Sequence, residues 1–269
     1  TFALVVAAHN EEAVIENMVE SLHMLNYPRD KYEIFVIADN CTDSTAFLAR
    51  EKGAQVYERF NGEKRGKGHA LEWMFENIFN MERKFDYICV FDADNVVHKD
   101  FLKHMNKLAN KGHSAIQGYI DSKNPEDSWV SYSYSISFWT INKLFQQSSF
   151  NLGLSCQLCG TGFAIKTQLL KELGWGATCL TEDMEFTMKL SLNNVDVAWA
   201  NDAIVYDEKP LTFSQSWKQR KRWMQGHADV ASRFFFKLIR KSVREKTIKP
   251  FDCAIYLLQP LRIVTMGVI

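Results

Sequence analysis

Four short runs in the first third of the chain alternate with segments of a different periodicity. They are Phe2–Ala8, 33–38, Gln55–Arg59 and 87–91. Three are rich in Val, Ile or Phe, and polar or turn residues bound all four, which predicts strands. Ile15, Met18, Val19, Leu22 and Leu25 recur at helical spacing between the first two. Thr45–Glu51 and 69–80 predict two further helices. Such short β-α alternation constrains the chain to an α/β fold, a central mostly parallel sheet with helices on both faces. The second half is less regular. Residues 114–120 and 160–165 predict strands, 126–147 and 181–192 helices, and 195–200 with 203–206 paired strands. Residues 214–240 predict a long helix, basic and aromatic.

With 269 residues, 46% of them hydrophobic, the chain can build one substantial core. Its 32 basic and 32 acidic residues cancel, so no global field draws nucleic acid, and none is expected as a partner. The six cysteines include one lone Cys156-x-x-Cys159 and no nearby His cluster. Zinc, which usually takes four ligands, is not expected, and a reducing environment suits the cysteines better than a disulfide framework. No repeat or clean linker divides the chain, so one catalytic unit with a helical tail is the economical reading. Residues 251–269 are apolar but contain Asp252, Gln259, Pro260 and Arg262. They make a poor solitary membrane span and suit an interfacial helix or the opening of a membrane segment.

Polar clusters fall where strands end. Asp92-Ala93-Asp94 follows the fourth run, at the position where open α/β sheets bind ligands. Two hard carboxylates there suit a divalent cation on a diphosphate. His9-Asn10-Glu11-Glu12 follows the first run and reads equally as a helix start, with acids favoured by the helix dipole. Asp39 is either an Asx-turn or an acceptor for a base or ribose. Lys64-Arg65-Gly66-Lys67-Gly68 suits a backbone passing close to phosphates, or a solvated loop. It is no Walker A loop, and no Gly-x-Gly-x-x-Gly follows the first strand. Thr181-Glu182-Asp183 is either a capped helix start or a tunable carboxylate base. Gln219-Arg220-Lys221-Arg222-Trp223 is either a solvated basic face or a surface for sugar and diphosphate.

The order of these clusters resembles the family 2 glycosyltransferases of GT-A fold, over residues 8 to 223. Thr181-Glu182-Asp183 and Gln219-x-x-Arg222-Trp223 are similar to the membrane-embedded branch with cellulose, chitin, hyaluronan and poly-N-acetylglucosamine synthases. The resemblance implies a catalytic domain over 1–230 and an amphipathic segment over 231–269 leading to a membrane region. It implies a UDP-sugar donor, a glycan or lipid-linked acceptor, and Mg²⁺ or Mn²⁺. Asp183 would be the general base of an inverting transfer and Asp94 the metal ligand. The donor would be bound by Ala8, Asn10, Glu11, Asp39, Lys67, Gly68 and Asp92. Gly160, Thr161, Glu182, Gln219, Arg222 and Trp223 would line the acceptor and diphosphate side. His227 reads as a structural residue, with the late metal-binding His of some GT-A enzymes as the alternative. The implied location is a membrane with the catalytic domain on its cytoplasmic side, multi-pass in the full-length protein. Trp217, Trp223, Phe234, Phe235 and Phe236 among Lys and Arg suit a helix on a bilayer, or packing against the domain. A glycolipid-forming transferase, a nucleotidyltransferase and a non-catalytic nucleotide-sugar-binding homologue are the rival readings.

Overall fold

The computed structural model describes residues 1–176 and 178–259. The expected alternation folds as β1 (Phe2–Ala8), α1 (Ile15–His23), β2 (Tyr32–Asp39), α2 (Thr45–Glu51), β3 (Gln55–Arg59), α3 (Lys67–Asn80) and β4 (Tyr87–Asp92). These four strands pair in parallel in the order β3-β2-β1-β4. Parallel pairing brings their carboxyl ends to one edge. The register sets Asp39 beside Arg59, Ala8 beside Ala38 and Ala7 beside Asp92. That edge is where the sequence concentrates its polar clusters.

The chain continues as β5 (Val96–Val97), α4 (Phe101–Ala109), β6 (Ala115–Ser122), α5 (Trp129–Thr140), a π-helical segment (Ile141–Gln146) and α6 (Gln147–Asn151). Then come β7 (Phe163–Lys166), α7 (Thr167–Leu173), α8 (Glu182–Leu192), β8 (Val197–Asp207), α9 (Phe213–Glu245) and α10 (Ile248–Tyr256). One eight-stranded sheet runs β3-β2-β1-β4-β7-β6-β8-β5. Strand β7 is antiparallel to β4, with Val90 opposite Phe163. Gly160-Thr161-Gly162, just before β7, therefore returns to the carboxyl end of β4.

The sequence reading differs from the structure in three places. Residues 195–206 form no hairpin. Residues 197–206 belong to the single strand β8, which runs parallel to β6 with a register shift between Gly118 and Tyr119. A Cβ at Gly118 would lie 2.6 Å from the Ala203 carbonyl oxygen, so the missing side chain is what lets the bulge fold onto β6. The long helix predicted from 126 starts at Trp129, capped by Ser128, and turns π-helical over six residues. Helices α4 and α7 and the short β5 are additional.

Apolar side chains pack on both faces of the sheet. Ile15, Met18 and Leu22 of α1 join Phe101 and Met105 of α4 on one side. Leu71 and Met74 of α3 join Phe186 of α8 and Trp175 on the other. A third cluster unites Met188 of α8, Val230, Phe234 and Leu238 of α9, and Cys253, Ala254 and Leu257 at α10. The aromatics of α9 therefore divide. Phe234 packs inward, whereas Trp217 is 62% exposed and Phe236 79% exposed. Among the described residues no helix is long and apolar enough to cross a membrane. Residues 260–269 of the expected interfacial stretch lie outside the described residues.

Candidate active site

A cavity of about 620 Å³ opens at the carboxyl edge of β1, β2 and β4, lined in part by Ala8, Asn10, Glu11, Asp39, Lys67 and Asp92. Asn10 and Asn40 turn the chain sharply after β1 and β2 with φ of 57° and 51°, a region Asn enters more readily than most residues. The two turns are stitched together. The Asn10 Oδ1 accepts from the Thr42 backbone N–H at 2.8 Å, and the His9 Nδ1–H donates to the Asp39 carbonyl at 2.7 Å. The Asp39 carboxylate is buried against Arg59, with Nη1 to Oδ1 at 2.5 Å, and Arg59 also donates to the Lys64 carbonyl at 2.6 Å. Arg59 thus ties the basic loop to the floor of the cavity. Its place opposite Asp39 in the β2–β3 register is the signal that sequence reasoning passed over.

Lys67 begins α3 and joins two halves of the site. Its ammonium contacts the Asp92 carboxylate and donates to the Gly160 carbonyl at 2.7 Å. Burial opposes its charge, but Asp92, Glu182 and Asp183 outweigh burial and hold its pKa above the ordinary value. Gly68 sits behind it in the first turn and does not line the cavity. The Thr161 hydroxyl accepts from the Asp92 backbone N–H at 3.1 Å and contacts Asn95 Oδ1. Asn95 Nδ2 donates to Asp94 at 3.1 Å and to Asp207 at 2.9 Å. Asn95 and Asp207 are further residues of this cluster. Asp207, at the end of β8, comes from 112 positions along the chain.

Asp94 tests whether a divalent cation fits. Burial first, then Asp207, Asp92, Glu11 and Glu208, push its carboxyl up to about 7. Such a surplus of negative charge is what a cation relieves. Among the described residues no three His, Cys, Asp or Glu side chains form a complete metal cage. A Mg²⁺-type ion held by one or two carboxylates and completed by diphosphate oxygens needs none, so Asp94 and its neighbours fit that arrangement.

Asp183 stands in the first turn of α8. A Cβ placed on Gly160 would lie 3.5 Å from its Oδ2, so the chain passes close beside the carboxylate. Burial and then Glu182 push the Asp183 carboxyl up to about 7, against the pull of the Met184 N–H and Lys67. Thr181 occupies the N-cap position, but its hydroxyl does not cap the helix. It instead packs against α9, where a Cβ at Gly226 would stand 2.5 Å from the Thr181 Oγ1.

The motif on α9 is not among the residues that line the cavity. Arg222 is exposed and forms no ion pair among the described residues. Trp223 packs half-buried on Tyr134, with centroids 6.3 Å apart, and Arg220 lies over that same ring at 4.4 Å. The buried Gln219 Oε1 has no partner among the described residues. His227 is buried, and its Nε2–H donates to the Tyr256 carbonyl at 3.2 Å.

A family model described as glycosyltransferase like family 2 matches residues 1–226. The probable glycosyltransferase YdaM of Bacillus subtilis (strain 168) is 28% identical over 253 residues, covering 90% of this chain and 59% of that protein. The beta-monoglucosyldiacylglycerol synthase of Synechocystis sp. (strain ATCC 27184 / PCC 6803 / Kazusa) is 31% identical over 238 residues, covering 83% and 47%. The poly-beta-1,6-N-acetyl-D-glucosamine synthase of Staphylococcus epidermidis is 28% identical over 243 residues, covering 88% and 57%. The chain thus spans about half the length of these relatives. Among solved structures, the mannosyltransferase PcManGT from Pyrobaculum calidifontis, in complex with GDP-Man and Mn²⁺, superposes with a TM-score of 0.66 at 19% identity, covering 99% of this chain and 79% of that one. S. aureus TarS 1-349 in complex with UDP-GlcNAc gives 0.62 at 18% identity, covering 86% and 66%. At those identities the likeness concerns the fold, and it is the fold expected from the sequence.

Proposed function

The chain belongs to the glycosyltransferase-like family 2, and from that premise we propose that it moves a hexose or N-acetylhexosamine from a UDP-sugar to a hydroxyl of a glycan or lipid-linked acceptor, with inversion. The observation that carries this reading is Lys67. Its one ammonium contacts Asp92 in the nucleotide-sized cavity and Gly160, whose backbone adjoins Asp183. A donor in the cavity and a base beyond it would face each other across that lysine.

The acceptor oxygen attacks the anomeric carbon as the bond from that carbon to the diphosphate breaks. The acceptor proton passes to the Asp183 carboxylate, and UDP leaves. A base with its pKa near the working pH is well matched to that transfer. Lys67 offsets charge on the departing diphosphate. A divalent cation held by Asp94 and Asp92 would neutralise more of that charge. The Mn²⁺ in the PcManGT complex supports a metal, and the TarS complex supports UDP as carrier. Both named synthases carry "beta" in their names, and a β product from an α-linked UDP-sugar requires one inversion. The donor cavity would face the cytoplasm from a membrane-bound, multi-pass protein. The six free cysteines accord with reducing surroundings.

The test uses full-length protein in membranes with Mg²⁺ or Mn²⁺, supplied separately with UDP-glucose and UDP-N-acetylglucosamine. UDP release and product size are followed, with Asp183→Asn as control and chelation as a second. Release that both controls abolish supports the reading. A long product marks a polymer synthase and a short lipid-linked product a glycolipid synthase. Release that survives Asp183→Asn removes the base assignment.

A further inference from the structure

Phe60 is an apolar ring on the wall of a polar cavity, and it is 69% exposed. A single exposed apolar residue needs no explanation of its own, but the setting of this one does. The ring joins none of the three apolar clusters. The backbone is nevertheless fixed on both sides of it. Before it, the Arg59 side chain is buried against Asp39, and the Arg59 carbonyl accepts from the Asn40 N–H at 2.7 Å. After it, the Asn61 N–H donates to the Asn40 Oδ1 at 2.9 Å. The turn that follows β2 thus holds Phe60 in place while its ring stays free.

The strand order sets what lies across the cavity. Phe60 follows β3, Asp39 ends β2, and Asp92 ends β4, with β1 between β2 and β4. Three strand spacings separate β3 from β4, roughly 14 Å. The Phe60 ring and the Lys67 ammonium, which contacts Asp92, therefore belong to opposite ends of one cavity. The Lys67 end carries the charge that suits a diphosphate. The Phe60 end joins a flat apolar face to the Asp39 carboxylate. Asp39 Oδ1 accepts from Arg59 and from the Asn40 Nδ2, whereas its Oδ2 takes no hydrogen bond among the described residues. A planar heterocycle with an N–H on its edge matches both groups, the ring by its face and the carboxylate by that edge. Uracil, with its N3–H, is such a heterocycle.

We propose that Phe60 is a binding residue for the base of the donor, stacking on the uracil face while Asp39 reads its edge. This rests on the proposed UDP-sugar donor. Phe60 would then contribute affinity for the nucleotide and none for its diphosphate. Full-length protein in lipid nanodiscs with Mg²⁺ is titrated calorimetrically with UDP, GDP and inorganic pyrophosphate. Wild type should bind UDP and pyrophosphate. Phe60→Ala should bind UDP about tenfold or more weakly, the loss expected for one base–aromatic stack, with pyrophosphate affinity and melting temperature unchanged. Phe60→Tyr keeps a ring and should bind UDP as wild type does. Equal UDP binding by Phe60→Ala, an equal loss for pyrophosphate, or a Phe60→Tyr as weak as Phe60→Ala overturns the assignment. A wild type that prefers GDP would remove UDP as the donor's carrier instead, and the same comparison made with GDP then decides the stacking. A wild type that binds neither nucleotide overturns both.

Discussion

Asp183 is held in a setting that works against stability. Its carboxyl titrates near 7 in the fold, against about 3.9 in an unfolded chain. Between those values the folded state keeps a proton that the unfolded state has lost, so stability falls as pH rises through that window. Above pH 7 the penalty is complete, on the order of 1–4 kcal/mol for a shift of this size. Asp183→Asn should therefore raise the melting temperature at pH 8 while changing it little at pH 4, and should lower turnover roughly 10²–10⁴-fold. An equal stability change at both pH values would contradict the titration. Activity should rise with an acidic limb near pH 7. Lys67 pulls that limb down, so Lys67→Met should move it to higher pH as well as weaken UDP binding; kcat/KM profiles of the two proteins decide this. Asp39, Lys67, Asp92 and Asp183 were legible as candidates because polar residues at strand ends and helix starts stand out against apolar runs. Arg59, Asn95 and Asp207 were not, because the partners that tie them into the site, Asp39 for Arg59 and Thr161 and Asp207 for Asn95, lie 20 to 112 positions away and only strand register brings them together.

At the scale of elements, α8 and α9 are joined by a buried charge. Glu185 accepts from Arg233 through both carboxylate oxygens at 3.2 and 3.1 Å and from the Thr178 hydroxyl at 2.7 Å. Burial raises its pKa, but the Arg233 and Thr178 bonds outweigh burial and lower it overall. Such a group contributes stability above its unfolded pKa, and that contribution is lost as pH falls through the folded value. Arg233→Met should cost on the order of 2–4 kcal/mol in urea melts at pH 7, discounted from a fully enclosed pair because Arg233 is 33% exposed. The loss should shrink at pH 4. Phe234→Ala, which opens the third core cluster, should cost about 3–5 kcal/mol at either pH. The alternating half of the fold was legible because each element carries its own period. β8 was misread because Asn201-Asp202 has the composition of a turn, while the residue that permits the bulge, Gly118, sits on another strand. Helix α4 carries its own signal in Phe101, Leu102, Met105 and Leu108, a short buried stripe at helical spacing.

For the whole molecule, the remaining question is which side meets a bilayer in the membrane-bound reading proposed above. Tyr134 answers where α5 and α9 meet, since its hydroxyl hydrogen-bonds with the Ser216 hydroxyl at 3.1 Å and its ring contacts Arg220 and Trp223. Around that junction Trp129 is 71% exposed, and Tyr132, Ile136, Phe213 and Trp217 are also exposed. Lys218, Arg220, Lys221 and Arg222 stand on the same stretch of α9. Exposed aromatics beside clustered cations suit the boundary between acyl chains and anionic headgroups. Because the chain has no net charge, the attraction would be local to this side. In reconstituted full-length protein, lipids brominated near the headgroup should quench Trp129 and Trp217 emission. Trp129→Phe and Trp217→Phe should each remove part of the quenching, while emission from the buried Trp175 and Trp199 stays unquenched. Quenching that is indifferent to both substitutions would place the bilayer against another side of the molecule, and α9 would then owe its aromatics to packing alone.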